Sequence, residues 1–344
     1  MKALVLERYG HFEYQEVATP VPGPGEVLIA VKACAVCGSD VHGMDGSTGR
    51  RRPPIIMGHE AAGVIEALGP GVKDYQPGER VTFDSTIYCG ACACCEAGLV
   101  NLCENRRVLG VSCEDYRLDG AMADYVVAPE RILYRLPDAV SYQQAAMVEP
   151  LAIAYHAATR APITPGCCAL VVGVGTIGML TLQVLKALGA GSLIAVDLDQ
   201  HKLDSALQAG ASAAIQAADP EALRKALAAT PGGRGADIAV DATGIEGTLN
   251  LSLAALRLGG SAVLVGNLAP QVSFPLQQVV TRQISLFGSC ASAGEYPQCL
   301  DMIASGQVDV MPLISKAVPL SEGNAWIQRV YNKEEGLHKI VLIP

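Results

Sequence analysis

The stretch CCALVVGVGTIGMLTLQVLKALGAGSLIAVDLD (167–199) decides the fold of a large part of this chain. It predicts a buried strand, a glycine-rich turn, a helix and a second strand that ends in an acidic residue. Segments typical of strands and helices alternate after it: ADIAVDAT (236–243), GTLNLSLAALRLG (247–259), GSAVLVGN (260–267) and ISLFGSC (284–290). This alternation predicts an α/β fold with a doubly wound parallel sheet.

The glycine-rich turn has the spacing G-x-G-x-x-G at Gly173, Gly175 and Gly178. In a Rossmann domain the first glycine makes the tight turn, the second admits a pyrophosphate, and the third lets helix and strand pack closely. Thr176 and Ile177 then open the helix, whose N-terminus attracts anions. A single G-x-G-x-x-G is weak evidence, but here it lies between a predicted strand and a predicted helix. We therefore expect a dinucleotide to bind at this turn.

The acidic end of the second strand predicts which dinucleotide binds. Asp197 follows the turn by about twenty residues, where an acid hydrogen-bonds the ribose hydroxyls and repels a 2′-phosphate. NAD is therefore favoured over NADP. The alternative for Asp197 is a residue that only ends the strand and forms a turn. Lys202 partly offsets the negative charge, and we include Lys202 and Gly266 among the expected cofactor contacts.

A second motif places four cysteines in a short segment with the spacing C-x2-C-x2-C-x7-C. Such spacing lets one loop bind a zinc ion tetrahedrally, and four thiolates leave no open position for chemistry. We therefore predict a structural zinc lobe over about 84–110. The alternatives are unligated buried thiols or an iron–sulfur cluster. The predicted ligands are Cys89, Cys92, Cys95 and Cys103.

The composition narrows the class of protein. The chain has 344 residues, 50% of them hydrophobic, and a formal charge of −9. The length favours two domains, and the negative charge argues against a nucleic-acid partner. No signal-peptide pattern and no membrane-spanning run of about 18 apolar residues is visible, so we expect a cytoplasmic protein without a membrane partner. The basic run GRRRPP (49–54) is either a solvated loop or part of an active-site entrance.

Further motifs lie outside the predicted nucleotide domain: CGSDVH (37–42), GHE (58–60), PGERV (77–81) and VEPLA (148–152). With the cysteine lobe and the glycine turn, they make the chain resemble the zinc-dependent medium-chain alcohol dehydrogenase/reductase superfamily nearly from end to end. Within that superfamily, CGSDVH and VEPLA look most like the sorbitol (polyol) dehydrogenase-like branch.

The resemblance implies an architecture with two domains. A mostly β, GroES-like catalytic domain would be formed by residues 1–151 and by a return segment, 291–344. A Rossmann NAD-binding domain would span 152–290. Like members of that branch, the protein would be a homo-oligomer, either a tetramer or a dimer.

The resemblance also implies a second, catalytic zinc. Its ligands would be Cys37, His59 and a carboxylate from Glu60 or Glu149, with the choice between the two glutamates open. Asp40 would orient the zinc-binding histidine, since a hydrogen bond to one ring nitrogen fixes which nitrogen faces the metal.

The implied chemistry is oxidation of an alcohol. The zinc would lower the pKa of a bound alcohol, whose carbon then delivers hydride to the nicotinamide. Ser39 and His42 would relay the proton to solvent, although on sequence alone Ser39 fits a helix N-cap equally well and His42 fits a surface histidine. Cys290 lies in a segment that passes near the nicotinamide in the family.

The expected activity is NAD-dependent oxidation of a secondary hydroxyl, in a polyol such as sorbitol or L-iditol. The enzyme alternatives are threonine 3-dehydrogenase and sugar-alcohol-phosphate dehydrogenase. Arg50, Arg51 and Arg52 precede the GHE motif and could reach an anionic substrate. A non-enzyme alternative is an inactive zinc- and nucleotide-binding protein, against which the complete set of zinc-binding residues argues.

Overall fold

The chain folds into two compact units in the computed structural model, which describes residues 1–230 and 232–344. One unit combines Met1–Glu149 with Ala293–Pro344, and the other is Pro150–Ser292. The first unit is therefore built from both ends of the chain.

The N-terminal part of the first unit is rich in strands. Its strands are β1 (Lys2–Arg8), β2 (His11–Glu16), β3 (Glu26–Ala35), β4 (Ile55–Ile56), β5 (Glu60–Leu68), β6 (Arg80–Phe83), β7 (Thr86–Ile87), β8 (Arg107–Val108), β9 (Val111–Ser112), β10 (Arg117–Leu118), β11 (Tyr125–Pro129) and β12 (Leu133–Arg135). Its short helices are α1 (Gly38–Gly43), α2 (Ala93–Glu96) and α3 (Tyr142–Ala146).

The second unit alternates helices and strands. Helix α4 (Val148–Thr159) contains the boundary between the units. The remaining elements are β13 (Cys168–Val172), α5 (Thr176–Ala187), β14 (Ser192–Asp197), α6 (Gln200–Ala209), β15 (Ala213–Gln216), α7 (Pro220–Ala228), β16 (Ala236–Asp241), α8 (Glu246–Ala255), β17 (Leu256–Leu264), α9 (Leu276–Thr281) and β18 (Ser285–Gly288). The chain then returns to the first unit with α10 (Tyr296–Ala304), β19 (Lys316–Pro319), α11 (Gly323–Tyr331) and β20 (Ile340–Ile343).

The sheet of the second unit is parallel throughout, with strand order β15-β14-β13-β16-β17-β18. This is the order 3-2-1-4-5-6 of a Rossmann fold, so the predicted α/β class with a doubly wound parallel sheet is confirmed. All five residues of β13 are buried, as expected for a central strand covered on both faces. One boundary differs from prediction: the helix expected over 247–259 ends at Ala255, because buried Leu256 pairs with Ala236 and begins β17.

The main sheet of the first unit has seven strands and is mixed. Its order is β12-β6-β5-β3-β20-β19, and β11 also pairs with β3. The ten-residue strand β3 pairs with both β11 and β20 at different points along its length: β11 pairs with its first half, and β20 pairs with its end at Cys34 and Ala35. The C-terminal strand therefore lies beside the strand that leads into the CGSDVH motif.

Among the described residues, no helix is both long enough and apolar enough to cross a membrane.

Candidate active site

The four predicted lobe cysteines lie together around one point. Their Sγ atoms are all within 4.8 Å of one another. Three of the separations are 3.5 Å (Cys92–Cys95), 3.9 Å (Cys92–Cys103) and 4.0 Å (Cys89–Cys95). Four thiolates around one zinc ion at about 2.3 Å would be about 3.8 Å apart, whereas a disulfide needs about 2.05 Å. The cluster therefore fits a zinc ion and not a pair of disulfides.

Backbone groups in the lobe favour thiolates. The Cys89 N–H donates to Cys103 Sγ at 3.2 Å, and the Ala91 N–H donates to Cys89 Sγ at 3.5 Å. The bond from Ala91, together with the thiols of Cys103 and Cys92, lowers the pKa of Cys89 to about 6. Cys94 lies outside the four-thiol cluster, so it offers a matched control for the lobe.

A second donor cluster joins the CGSDVH and GHE motifs. One ligand atom from each of Cys37, His59 and Glu60 lies within 4.8 Å of the others. Strand pairing explains the meeting: β3 ends at Ala35 directly opposite Glu60, the first residue of β5, in the antiparallel register. Cys37 then follows as the residue that caps α1.

The imidazole of His59 is buried against Asp40. Its Nδ1 lies 3.4 Å from Asp40 Oδ1, but it is not aligned for a hydrogen bond and has no such partner. Burial would lower the pKa of His59, but the negative charges of Asp40 and Cys37 raise it well above its ordinary value. Since Nδ1 faces the carboxylate, Nε2 is the nitrogen left for a metal.

The structure corrects the solvated-loop interpretation of GRRRPP. Arg51 is only 4% exposed, and its Nη2 donates to Asp40 Oδ1 at 3.0 Å. Arg52, by contrast, is half exposed and lies 3.8 Å from Glu114. The inward direction of one arginine in three could not be read from the sequence, because the run has no polar and apolar alternation to mark a buried position.

Lys339 is a site residue that the sequence analysis missed. Its ammonium forms an ion pair with Glu60 Oε2, and the two side chains are only 4% and 1% exposed. Burial would lower the pKa of Lys339, but Glu60 and Cys37 raise it. The signal was present: Lys339 is a lone charge directly before the apolar strand β20, which pairs with β3 beside the site.

Glu149 lies near this cluster but outside it. Its Oε1 accepts a hydrogen bond from Ser85 Oγ at 3.2 Å. Removal from water raises the pKa of Glu149 to about 7; His59 opposes this shift, and the negative charge of Glu60 adds to it. The structure thus brings Glu60, and not Glu149, together with Cys37 and His59.

The two predicted relay residues lie exposed on α1. The N-cap interpretation of Ser39 is wrong: Cys37 is the N-cap, and its Sγ accepts a hydrogen bond from the Ser39 N–H at 3.4 Å. The Ser39 hydroxyl instead accepts from Arg51 Nη2 at 3.3 Å. His42 is on the same short helix, one turn further along.

The charges of the centre fit a divalent cation. With His59 neutral, as a metal-binding imidazole is, and the other six groups ionised, four negative side chains face two positive ones, which leaves an excess of two negative charges in a largely buried region. A single zinc ion would neutralise that excess, and thiolate, imidazole and carboxylate are its preferred ligands. The groups are Cys37, Asp40, Glu60 and Glu149, with Arg51 and Lys339.

The glycine turn of the second unit matches the three roles expected for a dinucleotide site. Gly173 has φ +84°, and a Cβ there would be 2.2 Å from Thr243 Oγ1. A Cβ at Gly178 would be 1.9 Å from Gly173 O, whereas one at Gly175 would meet nothing within 4 Å. Space for a phosphate therefore opens at Gly175, directly before the N-terminus of α5, which begins at Thr176 and continues with Ile177.

Asp197 makes the contacts of a turn residue and also lies beside the glycine turn. Its Oδ1 accepts from the N–H groups of Leu198 and Asp199, as a turn residue does, and its Oδ2 accepts from Val174 N–H at 2.8 Å. A carboxylate oxygen has two lone pairs, so Oδ2 retains one for a ribose hydroxyl beside the glycine turn.

The other expected cofactor residues differ in their surroundings. Lys202 is half-buried on α6, and Cys290 is exposed after β18. Gly266 has a local reason to be glycine, because a Cβ there would be 2.2 Å from the backbone of Thr243.

Comparisons with known proteins show the family of this chain. Residues 23–138 match the model of the alcohol dehydrogenase GroES-like domain, and residues 176–305 match that of the zinc-binding dehydrogenase family. The chain is 32% identical to sorbitol dehydrogenase of Bacillus subtilis (strain 168), over 100% of this chain and 97% of that protein. It is 33% identical to D-xylulose reductase A of Aspergillus niger, over 95% and 93%.

A solved structure extends the likeness to three dimensions. A zinc-binding dehydrogenase from Sinorhizobium meliloti 1021, bound to NADP, is 30% identical with a TM-score of 0.90 and covers 100% of this chain and 99% of that one. The GroES-like and Rossmann folds predicted from the sequence are thereby confirmed. The chain belongs to the zinc-dependent medium-chain alcohol dehydrogenase/reductase superfamily, in the branch of the polyol dehydrogenases.

Proposed function

We propose that the protein is a zinc-dependent dehydrogenase that transfers hydride from a secondary hydroxyl, in a polyol such as sorbitol or L-iditol, to NAD. The carrying observation is the cluster of Cys37, His59 and Glu60, whose surrounding charges call for one dication, in a chain that also has a dinucleotide turn. The sorbitol dehydrogenase and D-xylulose reductase relatives support a polyol as substrate.

Each residue of the centre has a distinct task in this proposal. Cys37 and His59 would hold the ion, and Glu60 would supply the carboxylate, whose position is set by its buried ion pair with Lys339. Bound zinc supplies Lewis-acid polarisation of the substrate hydroxyl. Asp40 faces Nδ1 of His59 and would thereby leave Nε2 to bind the ion.

The proton leaves through side chains of α1. With Arg51 donating to Ser39 Oγ, that hydroxyl keeps one lone pair to accept a proton and its own hydrogen to donate. Ser39 can therefore take a proton from the substrate side and pass one on. His42, exposed on the same helix, is the acceptor from which the proton reaches solvent.

A substrate panel tests this function. NADH formation would be followed by absorbance with sorbitol, other polyols, simple secondary alcohols, threonine and a sugar-alcohol phosphate. We expect the polyols to give the highest kcat/KM. A preference for threonine or for the phosphate ester would favour those alternatives. Of the three arginines in the basic run, Arg50 and Arg52 would then be the ones available to an anionic substrate, because Arg51 is engaged with Asp40. No turnover in a chain with two zinc ions would leave the non-enzyme alternative.

The preference for NAD must come from this chain's own residues, since the Sinorhizobium structure was solved with NADP. Leu198, 77% exposed, directly follows Asp197. We expect Leu198→Arg to raise kcat/KM with NADP relative to NAD about tenfold, because a cation there can pair with the 2′-phosphate. Leu207→Arg, at an exposed position of α6, adds the same charge away from Asp197 and is the control. An unchanged ratio in Leu198→Arg, or a wild-type preference for NADP, would contradict the assignment of Asp197.

Glu149 provides a test of which glutamate binds the metal. Glu149→Gln should keep about two zinc ions per chain, because its carboxylate bonds Ser85 and lies outside the three-ligand cluster. Turnover should fall, because the substitution removes an ionisable group that interacts electrostatically with His59 and Glu60. The measurement is metal content beside steady-state rates. Normal turnover would remove Glu149 from the site, and loss of one zinc ion would make it an obligatory ligand.

We also propose the following organisation. The catalytic domain is formed by 1–151 and 291–344 and the NAD-binding domain by 152–290, in close agreement with the two compact units. A reducing compartment such as the cytoplasm is required to keep four thiols available for one ion.

The protein is proposed to be a homo-oligomer, because the edge strand β18 and helix α9 expose Leu286, Leu276 and Val280. Sedimentation velocity would give the number of chains.

A further inference from the structure

We propose that Arg51 is a positioning residue for the catalytic metal centre, holding both the carboxylate behind His59 and the Ser39 hydroxyl. The inference rests on the proposed function, because it concerns how that centre is held. It arises from a guanidinium that is buried beside the centre and contacts two of its supporting side chains.

Arg51 holds the carboxylate of Asp40 with two hydrogen bonds. Arg51 Nε and Nη2 both donate to Asp40 Oδ1, at 3.3 and 3.0 Å, and the Asp40 side chain is fully buried. The other oxygen, Oδ2, accepts from the Cys37 N–H at 3.3 Å. The carboxylate is thus fixed at both oxygens, and the oxygen held by Arg51 is the one that lies 3.4 Å from His59 Nδ1.

The same guanidinium contacts the hydroxyl of Ser39. Arg51 Nη2 also donates to Ser39 Oγ at 3.3 Å. One cation therefore sets two groups that serve different purposes, the orientation of a metal ligand and the orientation of a hydroxyl that faces solvent. The planar, forked guanidinium can hold both, whereas a lysine ammonium acts as a point charge.

Arg51 is itself held in place by its backbone and by the packing around its side chain. Its backbone is paired with β9: the Arg52 N–H donates to Ser112 O at 3.0 Å, and the Ser112 N–H donates to Arg50 O at 3.2 Å. Gly43, the last residue of α1, leaves room for the side chain, because a Cβ there would lie 2.6 Å from Arg51 Cγ. The guanidinium is therefore supported from the loop, from the strand and from the helix.

Two variants test the proposal. Arg51→Lys keeps the charge that compensates buried Asp40 but loses the fork. Gly43→Ala changes no charge and no hydrogen-bonding group; its Cβ would press mainly on the stem of Arg51, 2.6 Å from Cγ, and less closely on Thr48 Oγ1 at 3.3 Å. Arg117→Lys makes the same exchange at a half-exposed arginine of β10, which pairs with Asp119, and is the matched control.

The main readout is zinc affinity, measured on the full chain by competition with a chromophoric chelator; a Cys37→Ser chain identifies the ion that belongs to the cysteine lobe. We expect the dissociation constant of the catalytic ion to rise about tenfold in Arg51→Lys and Gly43→Ala, within the range found when groups behind a metal ligand are changed. We expect kcat to fall about tenfold with an unchanged KM for NAD, and Arg117→Lys to match the wild type.

Each outcome decides the question. Wild-type zinc affinity and kcat in Gly43→Ala would overturn the proposal, whatever Arg51→Lys does, since only Gly43→Ala leaves the guanidinium itself in place and changes its position alone. A loss of folding in both variants, seen in thermal melts, would assign Arg51 to fold stability and also overturn it. A wild-type chain that binds only the lobe zinc would overturn the proposed function itself, a result separate from any difference between variants.

Discussion

Cys37→Ser and His59→Ala are expected to bind one zinc ion per chain in place of two and to lose about 10³-fold or more in kcat/KM. A zinc ion held there would polarise the substrate hydroxyl, an effect of several kcal/mol, and about 4 kcal/mol corresponds to about 10³-fold in rate. Both side chains belong to the three-ligand cluster at the ends of β3 and β5. Metal analysis of the purified variants beside steady-state kinetics checks the expectation.

The thermal midpoint serves as the control in that experiment. Since the lobe cysteines are a separate cluster, their ion should remain bound and the chain should remain folded. Cys94→Ser, the same exchange at a cysteine outside both clusters, controls for the substitution itself. A Cys37→Ser chain that kept two zinc ions and its turnover would rule out this centre as the catalytic one.

Cys103→Ser is expected to give the largest loss of stability. It removes one of four thiolates from a closed site, and loss of a structural metal is among the few changes that cost about 4 kcal/mol or more. At about 2–4 °C for each kcal/mol in a domain of this size, the midpoint should fall by about 10 °C or more. Thermal melts and zinc content measure the effect.

The lobe contains its own matched comparison. Cys94→Ser makes the same exchange in the same loop, but its thiol lies outside the four-thiol cluster. It should keep two zinc ions and the wild-type midpoint. If Cys103→Ser behaved like Cys94→Ser, the structural zinc assignment would be wrong.

Two features of the molecule followed from spacing along the chain. The glycine turn is one: the positive φ at Gly173, and the lack of room for a Cβ at Gly178 beside Gly173 O, are properties of a few consecutive residues. The cysteine lobe is the other, because all four thiols lie in one segment and can meet without help from distant strands. Short loops leave little conformational freedom, so their spacing predicts their geometry.

The catalytic centre needed more than spacing. The residues of its motifs are separated along the chain, and the resemblance to a family supplied Cys37, His59 and the two candidate glutamates. Their meeting depends on the register of β3 against β5, which places Ala35 opposite Glu60. The sequence shows which groups can bind zinc, and strand pairing shows which of them meet.

The sequence by itself determined the class of fold, the dinucleotide turn and the four-thiol lobe, since each depends on local periodicity or local spacing. Only the tertiary structure decided that Arg51 turns inward to Asp40, that Lys339 from the C-terminal segment pairs with Glu60, and that Glu149 bonds Ser85. The physical reason is that a buried charge takes its partner from whichever strand or loop packs beside it. That neighbour is set by long-range strand order, which no local pattern encodes.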